Sequence, residues 1–267
     1  MKDAGKATGV VSSVPVTHAT PATFATQNIS RNNYGEISRD MVQSGTTDLL
    51  MGGGHPFYDA NGDPVSAGDE RFANETGTGG GYIAKSVIDD VTGSNPSMTF
   101  FDDKATFEAL ADGTETIDGP ILGVAQSGHT LHANRSGGFD GANAFEVPLN
   151  DNVPTLETMT RGALNHLGKD EDGMFLMVEG GAVDWKAHGN DTTRIIEEQV
   201  DFDNSVGAGI DWVNENSNWD ETLMIVLTDH GNGMPMGPDS DEIAFQAIEN
   251  NGQGVLPGVQ WHSGGHT

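Results

Sequence analysis

The sequence contains no cysteine. This absence excludes disulfide bonds and cysteine-ligated zinc fingers, and it removes the usual indicator of redox compartment. Long apolar runs are missing too: no stretch reaches about 18 consecutive apolar residues, so we expect no membrane-spanning helix. Residues 1–6 carry two lysines without a following apolar segment, which is unlike a secretory signal peptide.

Basic residues are scarce. The chain of 267 residues has 12 Lys and Arg against 40 Asp and Glu, a formal net charge of −28. A nucleic-acid-binding protein shows the opposite balance, so we expect no nucleic-acid partner. The acidic residues are spread along the chain, which is typical of a halophilic protein, since salt screens their mutual repulsion.

Short apolar runs alternate with helical patterns, and this alternation predicts the fold class. We expect a three-layer α/β/α sandwich with a mostly parallel central sheet. The predicted strands lie at 8–14, 47–51, 121–126, 174–178 and 223–227. The predicted helices lie at 21–43, 82–91, 104–111, 154–167 and 191–213. We interpret residues 1–267 as a single domain, with a polar, loop-rich insertion at about 55–81 and a second loop-rich segment at 231–265.

Acidic and histidine side chains follow one apolar run at the point where its strand should end. Glu179 closes the run, two glycines come next, and Asp184 and His188 follow four residues apart. If the chain is helical there, both project from one face and can share a cation. Binding sites form where the strands of open α/β sheets end, and carboxylate with imidazole suits zinc. The alternative is a solvent-exposed Asp–His pair.

The last predicted strand ends in the same way, with Asp229 and His230. Adjacent residues of an extended chain point to opposite sides, so a shared ion requires a turn, which Gly231 permits. The alternative is an ordinary strand-end turn with a solvated Asp. Near the end of the chain, His266 would complete a His/Asp/His set, and on spacing alone His262 is an equal candidate.

A third group lies near the start, in the motif Thr17-His-Ala-Thr-Pro-Ala22. Thr20 and Pro21 are explained as the N-cap and first turn of a helix. Arg31 follows downstream and is one of the 12 basic residues. Its guanidinium group suits bidentate binding of a tetrahedral oxyanion, and the alternative is a plain surface cation.

Together these motifs resemble the alkaline phosphatase family. Thr-His-Ala-Thr-Pro with a later Arg, Val-Glu-Gly-Gly-x-x-Asp-Trp-x-x-His, Thr-Asp-His and a final His-Thr occur in that family's order, from about residue 8 to 267. The Asp-Trp pair is similar to that of bacterial marine or halophilic members. Thr-Asp-His-Gly-Asn alone is less specific, because phosphoglycerate mutases of the same superfamily carry a similar string.

The resemblance implies two Zn²⁺ ions, one Mg²⁺ ion and a role for each site residue. Asp184, His188 and His266 match the ligands of one zinc, Asp229 and His230 those of the second, Glu179 and Thr20 those of magnesium, and Arg31 the phosphate clamp; His18 matches an indirect, water-mediated magnesium contact, and Trp185 lines the zinc site. The implied activity is phosphate monoester hydrolysis through a phosphoserine. The family also implies a homodimer in a periplasmic or secreted location.

The sequence departs from the family at the nucleophile. The family's serine precedes the Thr-His-Ala-Thr-Pro motif in an Asp-Ser-Ala context, whereas Ser12 and Ser13 lack that context. We therefore expect a partial alkaline-phosphatase-like domain whose N-terminal part is missing and which is inactive alone. The alternatives are another enzyme of the superfamily (a phosphodiesterase, sulfatase or mutase) or a non-catalytic metal-binding module.

Overall fold

The computed structural model describes residues 1–65, 81–137 and 142–267. Its strands are β1 (Ala7–Pro15), β2 (Leu49–Gly53), β3 (Thr99–Phe101), β4 (Ile121–Val124), β5 (Met174–Glu179), β6 (Pro235–Met236) and β7 (Gln260–Trp261). Its helices are α1 (Ala19–Ala25), α2 (Tyr34–Gln43), α3 (Lys85–Val91), α4 (Lys104–Ala111), α5 (Leu156–Leu167), α6 (Ala182–His188) and α7 (Thr192–Asn216).

Strands β1 to β5 form one parallel sheet in the order β3-β4-β2-β1-β5. In the register of this sheet, Gly9 of β1 lies between Leu49 of β2 and Leu176 of β5. β5 therefore occupies one edge of the sheet, directly beside β1. The prediction of a mostly parallel central sheet is confirmed.

Helices cover both faces of the sheet. Neighbouring strand residues point to opposite faces, so each face carries apolar side chains that need to be covered. Val10 and Leu50 pack into one core with residues of α1, α2 and α3. Val11 and Leu49 pack into a second core with residues of α4 and α5. The two cores are separated by the sheet, which gives the predicted α/β/α sandwich.

The predicted helix over 21–43 is wrong, since α1 and α2 are separate helices. Polar side chains in the connection bond locally: the side-chain oxygen of Asn28 accepts from the Ser30 amide at 3.1 Å and from the Asn33 side chain at 2.8 Å. Such local bonds compete with helical ones. Arg31 consequently lies on a loop instead of a helix.

The predicted strand at 223–227 is also wrong. Leu223, Ile225 and Leu227 are 83%, 68% and 70% exposed, and no strand partner lies beside them in the described part of the chain. An apolar run forms a stable strand only when a neighbour satisfies its backbone groups.

Elsewhere, β3 was not predicted, because three residues are too short to give a pattern. The expected insertion at 55–81 lies partly outside the described residues. The segment 231–265 contains β6 and β7, which pair antiparallel and are joined by a long connection. Among the described helices, none has both the length and the apolar content to cross a bilayer.

A buried ion network ties the loop before α5 to α7. Glu197 accepts from Arg135 Nη2 at 2.8 Å and from Arg194 Nη1 at 2.7 Å through one carboxylate oxygen. Its other oxygen accepts from the Phe145 amide at 2.7 Å. All three charged side chains are at most 4% exposed. The network fixes α7 and, through it, the neighbouring helix α6.

Replacing Glu197 with Gln should destabilise the fold by about 3 to 5 kcal/mol, because two buried guanidinium groups lose their carboxylate. The measurement is the free energy of unfolding by urea titration. Exposed Glu171 provides the control, since Glu171→Gln makes the same chemical change at the surface. Equal losses in the two variants would contradict the role given to the network.

Buried His132 should make the protein sensitive to acid. Burial, reinforced by Arg135, lowers the pKa of His132 to about 3, and its Nδ1 has no hydrogen-bond partner among the residues that the structure describes. The unfolded chain binds a proton near pH 6.5, so stability should fall as the pH falls from about 6.5 towards 3. His132→Gln should flatten this part of a stability-against-pH curve, and an unchanged slope would refute the assignment.

Candidate metal and phosphate site

The candidate site lies at the carboxyl ends of β1 and β5. The hydroxyl of Ser12, in the second half of β1, donates to Glu179 Oε2 at the end of β5. The neighbouring Ser13 hydroxyl accepts from the Ala182 amide at 3.1 Å, at the start of α6. β1 and β5 are hydrogen-bonded neighbours, so their ends position both the Glu179 carboxyl group and the start of α6.

Close packing explains the two glycines after Glu179. A Cβ atom on Gly180 would lie 2.9 Å from the ring of Phe202, and one on Gly181 would lie 2.8 Å from the Glu179 carboxyl carbon. Neither position has room for a side chain. The chain can therefore turn directly from β5 into α6, which carries Asp184 and His188.

The side chains of Asp184, His188 and His266 form a triangle in which their possible ligand atoms lie close together. The Nε2 atoms of His188 and His266 are 3.2 Å apart, and the two Asp184 oxygens lie 3.5 Å from His188 and 3.4 Å from His266. Two nitrogens bound to one tetrahedral zinc would be about 3.3 Å apart, given zinc–nitrogen bonds of about 2.0 to 2.1 Å. The spacing therefore fits a single zinc ion.

The ring orientation of His188 also suits metal binding. Its Nδ1 lies 2.8 Å from the Gly264 carbonyl oxygen. A carbonyl can only accept, so Nδ1 carries the proton and Nε2 keeps its lone pair for a metal.

Backbone pairing near the chain end brings His266 to this triangle. Gly231 and Thr267 exchange backbone hydrogen bonds of 3.1 and 3.0 Å. Asn232, on the same segment, donates to Asp184 Oδ1 at 2.6 Å. His262 lies elsewhere and bonds Ser240 instead, at 2.6 Å. The structure thus places His266, and not His262, with Asp184 and His188.

Asp229 and His230 lie beside the triangle. His230 Nε2 is 3.1 Å from Asp229 Oδ2, and the His230 ring stacks on His266 with centroids 3.6 Å apart. Asp184, His230 and His266 offer donor atoms within 4.8 Å of one another. The two ligand sets implied by the sequence therefore form one continuous cluster in the structure.

Negative charge accumulates at this end of the sheet. Burial raises the pKa of the Glu179 carboxyl, hydrogen bonds from Ser12 and Thr20 oppose the rise, and the charges of Asp229 and Asp184 add to it. Converging carboxylates of this kind are stable when a cation lies between them. The donor atoms present thus fit divalent metals.

Arg31 and His18 lie side by side at the edge of the candidate site. Arg31 Nη2 lies 3.3 Å from His18 Nε2, and the Arg31 side chain is otherwise exposed. Burial, followed by the Arg31 charge, lowers the pKa of His18 to about 4. His18 is therefore neutral at pH 7 and accepts the arginine's hydrogen bond. His18, rather than the expected Thr20, also occupies the N-cap position of α1.

Aromatic rings pack against His18 and against one another. Its ring meets Trp185 edge-on with centroids 5.0 Å apart, and Trp185 in turn meets His129 at 5.7 Å. His129 contacts Tyr82 at 5.8 Å. Neither His129 nor Tyr82 could be predicted from the sequence, because each lies in irregular structure and belongs to no recognisable motif.

Comparison with known proteins identifies the family of the chain. Residues 1–252 match the family model described as alkaline phosphatase. The chain belongs to the alkaline phosphatase family.

Two bacterial alkaline phosphatases illustrate the relationship. The chain is 29% identical to alkaline phosphatase 3 of Bacillus subtilis over 237 residues, which cover 87% of this chain and 41% of that protein. It is 29% identical to the alkaline phosphatase of Escherichia coli K12 over 268 residues, covering 96% of this chain and 55% of that protein. It thus spans about half the length of these relatives.

Solved structures of the family share the fold. A cold-active alkaline phosphatase from a Shewanella species superimposes with a TM-score of 0.64 at 24% identity, covering 93% of this chain and 49% of that one. The alkaline phosphatase of the Antarctic bacterium TAB5 superimposes with a TM-score of 0.63 at 22% identity. The match covers 100% of this chain and 64% of that one.

The two candidate histidines provide a direct test of zinc binding. His266→Ala should weaken zinc binding by roughly tenfold or more, because it removes one of few ligand atoms. His262→Ala is the matched control and should leave the affinity unchanged. Zinc affinity is measured by isothermal titration calorimetry on the metal-free chain. A larger effect from His262→Ala would overturn the ligand assignment.

Proposed function

We propose that this chain carries the metal- and phosphate-binding part of a metal-dependent phosphate monoester hydrolase. The observation that carries the proposal is the triangle of Asp184, His188 and His266, whose donor spacing suits zinc, at the same sheet end as Glu179 and Arg31. Membership of the alkaline phosphatase family supports it.

The proposed metal set is two Zn²⁺ ions and one Mg²⁺ ion. Asp184, His188 and His266 would hold one zinc, and Asp229 and His230 the other. Glu179 and Thr20 would hold magnesium, with His18 acting through water. Oxygen donors favour Mg²⁺ and imidazoles favour Zn²⁺, which supports this division. A variant of the TAB5 enzyme, similar in fold, is described with Mg bound in its M3 site.

The side chains of this protein would bind and orient the phosphate group. Arg31 would donate to two non-bridging oxygens, and neutral His18 would hold the guanidinium in place. Trp185 packs edge-on against the His18 ring. When bound, divalent metals supply Lewis-acid stabilisation of the developing charge and lower the pKa of water.

The nucleophilic serine is proposed to lie outside residues 1–267. Ser12 is fully buried and donates to Glu179, while Ser13 is 2% exposed and holds the start of α6. These roles leave neither hydroxyl free to attack phosphorus. The full-length protein would react through a phosphoserine, and family membership supports a homodimer in a periplasmic or secreted location.

Inorganic phosphate should bind to the zinc-loaded chain, and Arg31→Ala should weaken that binding by roughly tenfold or more, since charge-assisted hydrogen bonds are lost. Arg161 pairs with Glu157 on α5, so Arg161→Ala serves as a control with the same charge change. Calorimetry measures the binding. Equal effects of the two variants would count against the phosphate clamp.

The same preparation should not hydrolyse p-nitrophenyl phosphate above the rate of zinc alone. Zinc-dependent turnover would show that a nucleophile is present within these residues. Zinc binding without any phosphate binding would reject the proposed function in favour of a non-catalytic metal-binding module.

A further inference from the structure

A serine, a histidine and an aspartate outside the candidate metal site form a chain of polar contacts. The Ser240 hydroxyl lies 2.6 Å from Nε2 of His262. Nδ1 of the same ring lies 3.3 Å from Asp241 Oδ1. A hydroxyl at one ring nitrogen and a carboxylate at the other is the arrangement of nucleophile, base and acid in serine hydrolases. These three residues are called the Ser240 triad below.

The pairing of β6 with β7 brings the triad together. Met236 lies opposite Gln260 in this antiparallel pair, so the turn that follows β6 meets the residues that follow β7. Gln260 also ties the turn in place. Its side-chain oxygen accepts from the Ser240 amide at 3.1 Å, and its side-chain nitrogen donates to Asp241 Oδ2. Backbone pairing and one amide side chain therefore hold the turn against His262.

The contacts decide which ring nitrogen of His262 carries the proton. A carboxylate accepts hydrogen bonds, so Nδ1 carries the proton that faces Asp241. Nε2 then keeps its lone pair and accepts from the Ser240 hydroxyl. That hydroxyl also lies 3.3 Å from Gln260 Oε1, but the contact to the ring is much shorter and is the stronger of the two. In this tautomer the imidazole can take the hydroxyl proton as a general base.

The backbone turns sharply just before Ser240. Asp239 has a φ of 61°, in the left-handed region that residues other than glycine seldom occupy. Its carbonyl oxygen accepts from the amides of Glu242 and Ile243 at 3.0 and 2.9 Å. Within the described residues, the Asp241 amide donates to no partner. In hydrolases whose nucleophile lies on a tight turn, the amide that follows it donates to the developing oxyanion, so this turn supplies such a donor.

The triad is open to small molecules, and its surroundings restrict their charge. The side chains of Asp241 and His262 are 68% and 20% exposed. Three acidic residues flank the serine in the chain: Asp239, Asp241 and Glu242. Together with the net charge of −28, they disfavour an anionic substrate such as a phosphate monoester. An uncharged ester meets no such repulsion.

We propose that the Ser240 triad is a second reactive site, at which Ser240 takes the acyl group of small, uncharged carboxylic esters without a metal. Ser240 Oγ bonds to the carbonyl carbon while its proton passes to His262 Nε2. The bond to the leaving alcohol then breaks, and the alcohol leaves with that proton. Water next gives a proton to the same imidazole, attacks the acyl carbon and releases the acid, and the proton returns to Ser240 Oγ. Asp241 and Gln260 are positioning residues.

The test uses the whole chain, freed of metal with EDTA, and p-nitrophenyl acetate, an uncharged ester with a good leaving group. A burst of p-nitrophenol should accompany acetylation of Ser240, located by peptide mapping with mass spectrometry. Ser240→Ala should remove the burst. His262→Gln should slow it roughly tenfold or more, since general-base catalysis contributes about 10²–10⁴-fold. Ser44→Ala is the matched control, because Ser44 is exposed and bonds Thr46 instead of an imidazole, and the burst should be unchanged.

A further variant tests the positioning role of Asp241. Asp241→Asn should slow acetylation of Ser240 roughly tenfold or more, because an amide can donate to the ring and hold the wrong tautomer. The downfield proton NMR signal of a His262 Nδ1–H bonded to a carboxylate should disappear as well. The midpoint of urea unfolding should stay the same, since this side chain is 68% exposed.

Two results would overturn the proposal. The first is acetylation of Ser240 that is no faster than that of Ser44. The second is a burst of the original size in Ser240→Ala or in His262→Gln. Either result would leave the three side chains as a structural tie between the ends of β6 and β7. The inference does not depend on the proposed phosphatase function, because the triad shares no residue with the candidate metal site and the assay contains no free metal.

Discussion

The candidate site depends on one electrostatic constraint: several carboxylates and imidazoles are gathered where a cation can neutralise them. Burial raises the pKa of the Glu179 carboxyl, and the nearby charges of Asp229 and Asp184 raise it further. Without a cation this arrangement costs stability, since like charges at short range repel in a partly desolvated environment. A bound metal ion would offset this repulsion, because each carboxylate would be attracted to the cation. The ring nitrogens of His188 and His266 already lie at a spacing that suits a metal ion.

The fold supplies this convergence through short connections. Strands β1 and β5 are neighbours, so Ser12 and Glu179 meet at one sheet end, and two glycines allow α6 to begin at once. The buried pairing of Arg135 and Arg194 with Glu197 holds α7 in place beneath this helix. The part of the cluster on α6 is therefore held by packed secondary-structure elements. The part near the chain end is held by backbone hydrogen bonds.

The sequence predicted those parts of the fold that follow from local patterns. Strand β5 could be read from its apolar run, and the shared face of Asp184 and His188 from their spacing of four. Spacing alone could not decide between His262 and His266, because the choice depends on a non-local backbone pairing; only the family resemblance favoured His266. The apolar pattern at 223–227 is typical of a buried strand. A stable strand also needs a neighbouring strand to pair with, and a local sequence pattern cannot predict that neighbour. The helix predicted over 21–43 includes Arg31, but side-chain bonds such as those of Asn28 override helix propensity there, so Arg31 lies on a loop.

The central claim is that these distant side chains converge on metal, and anomalous X-ray diffraction at the zinc absorption edge tests it most directly. Crystals of the zinc-loaded chain should show an anomalous peak bounded by Asp184, His188 and His266, about 2 Å from each donor atom. Zinc found only at other surface histidines such as His262, with no peak inside that triangle, would contradict the account.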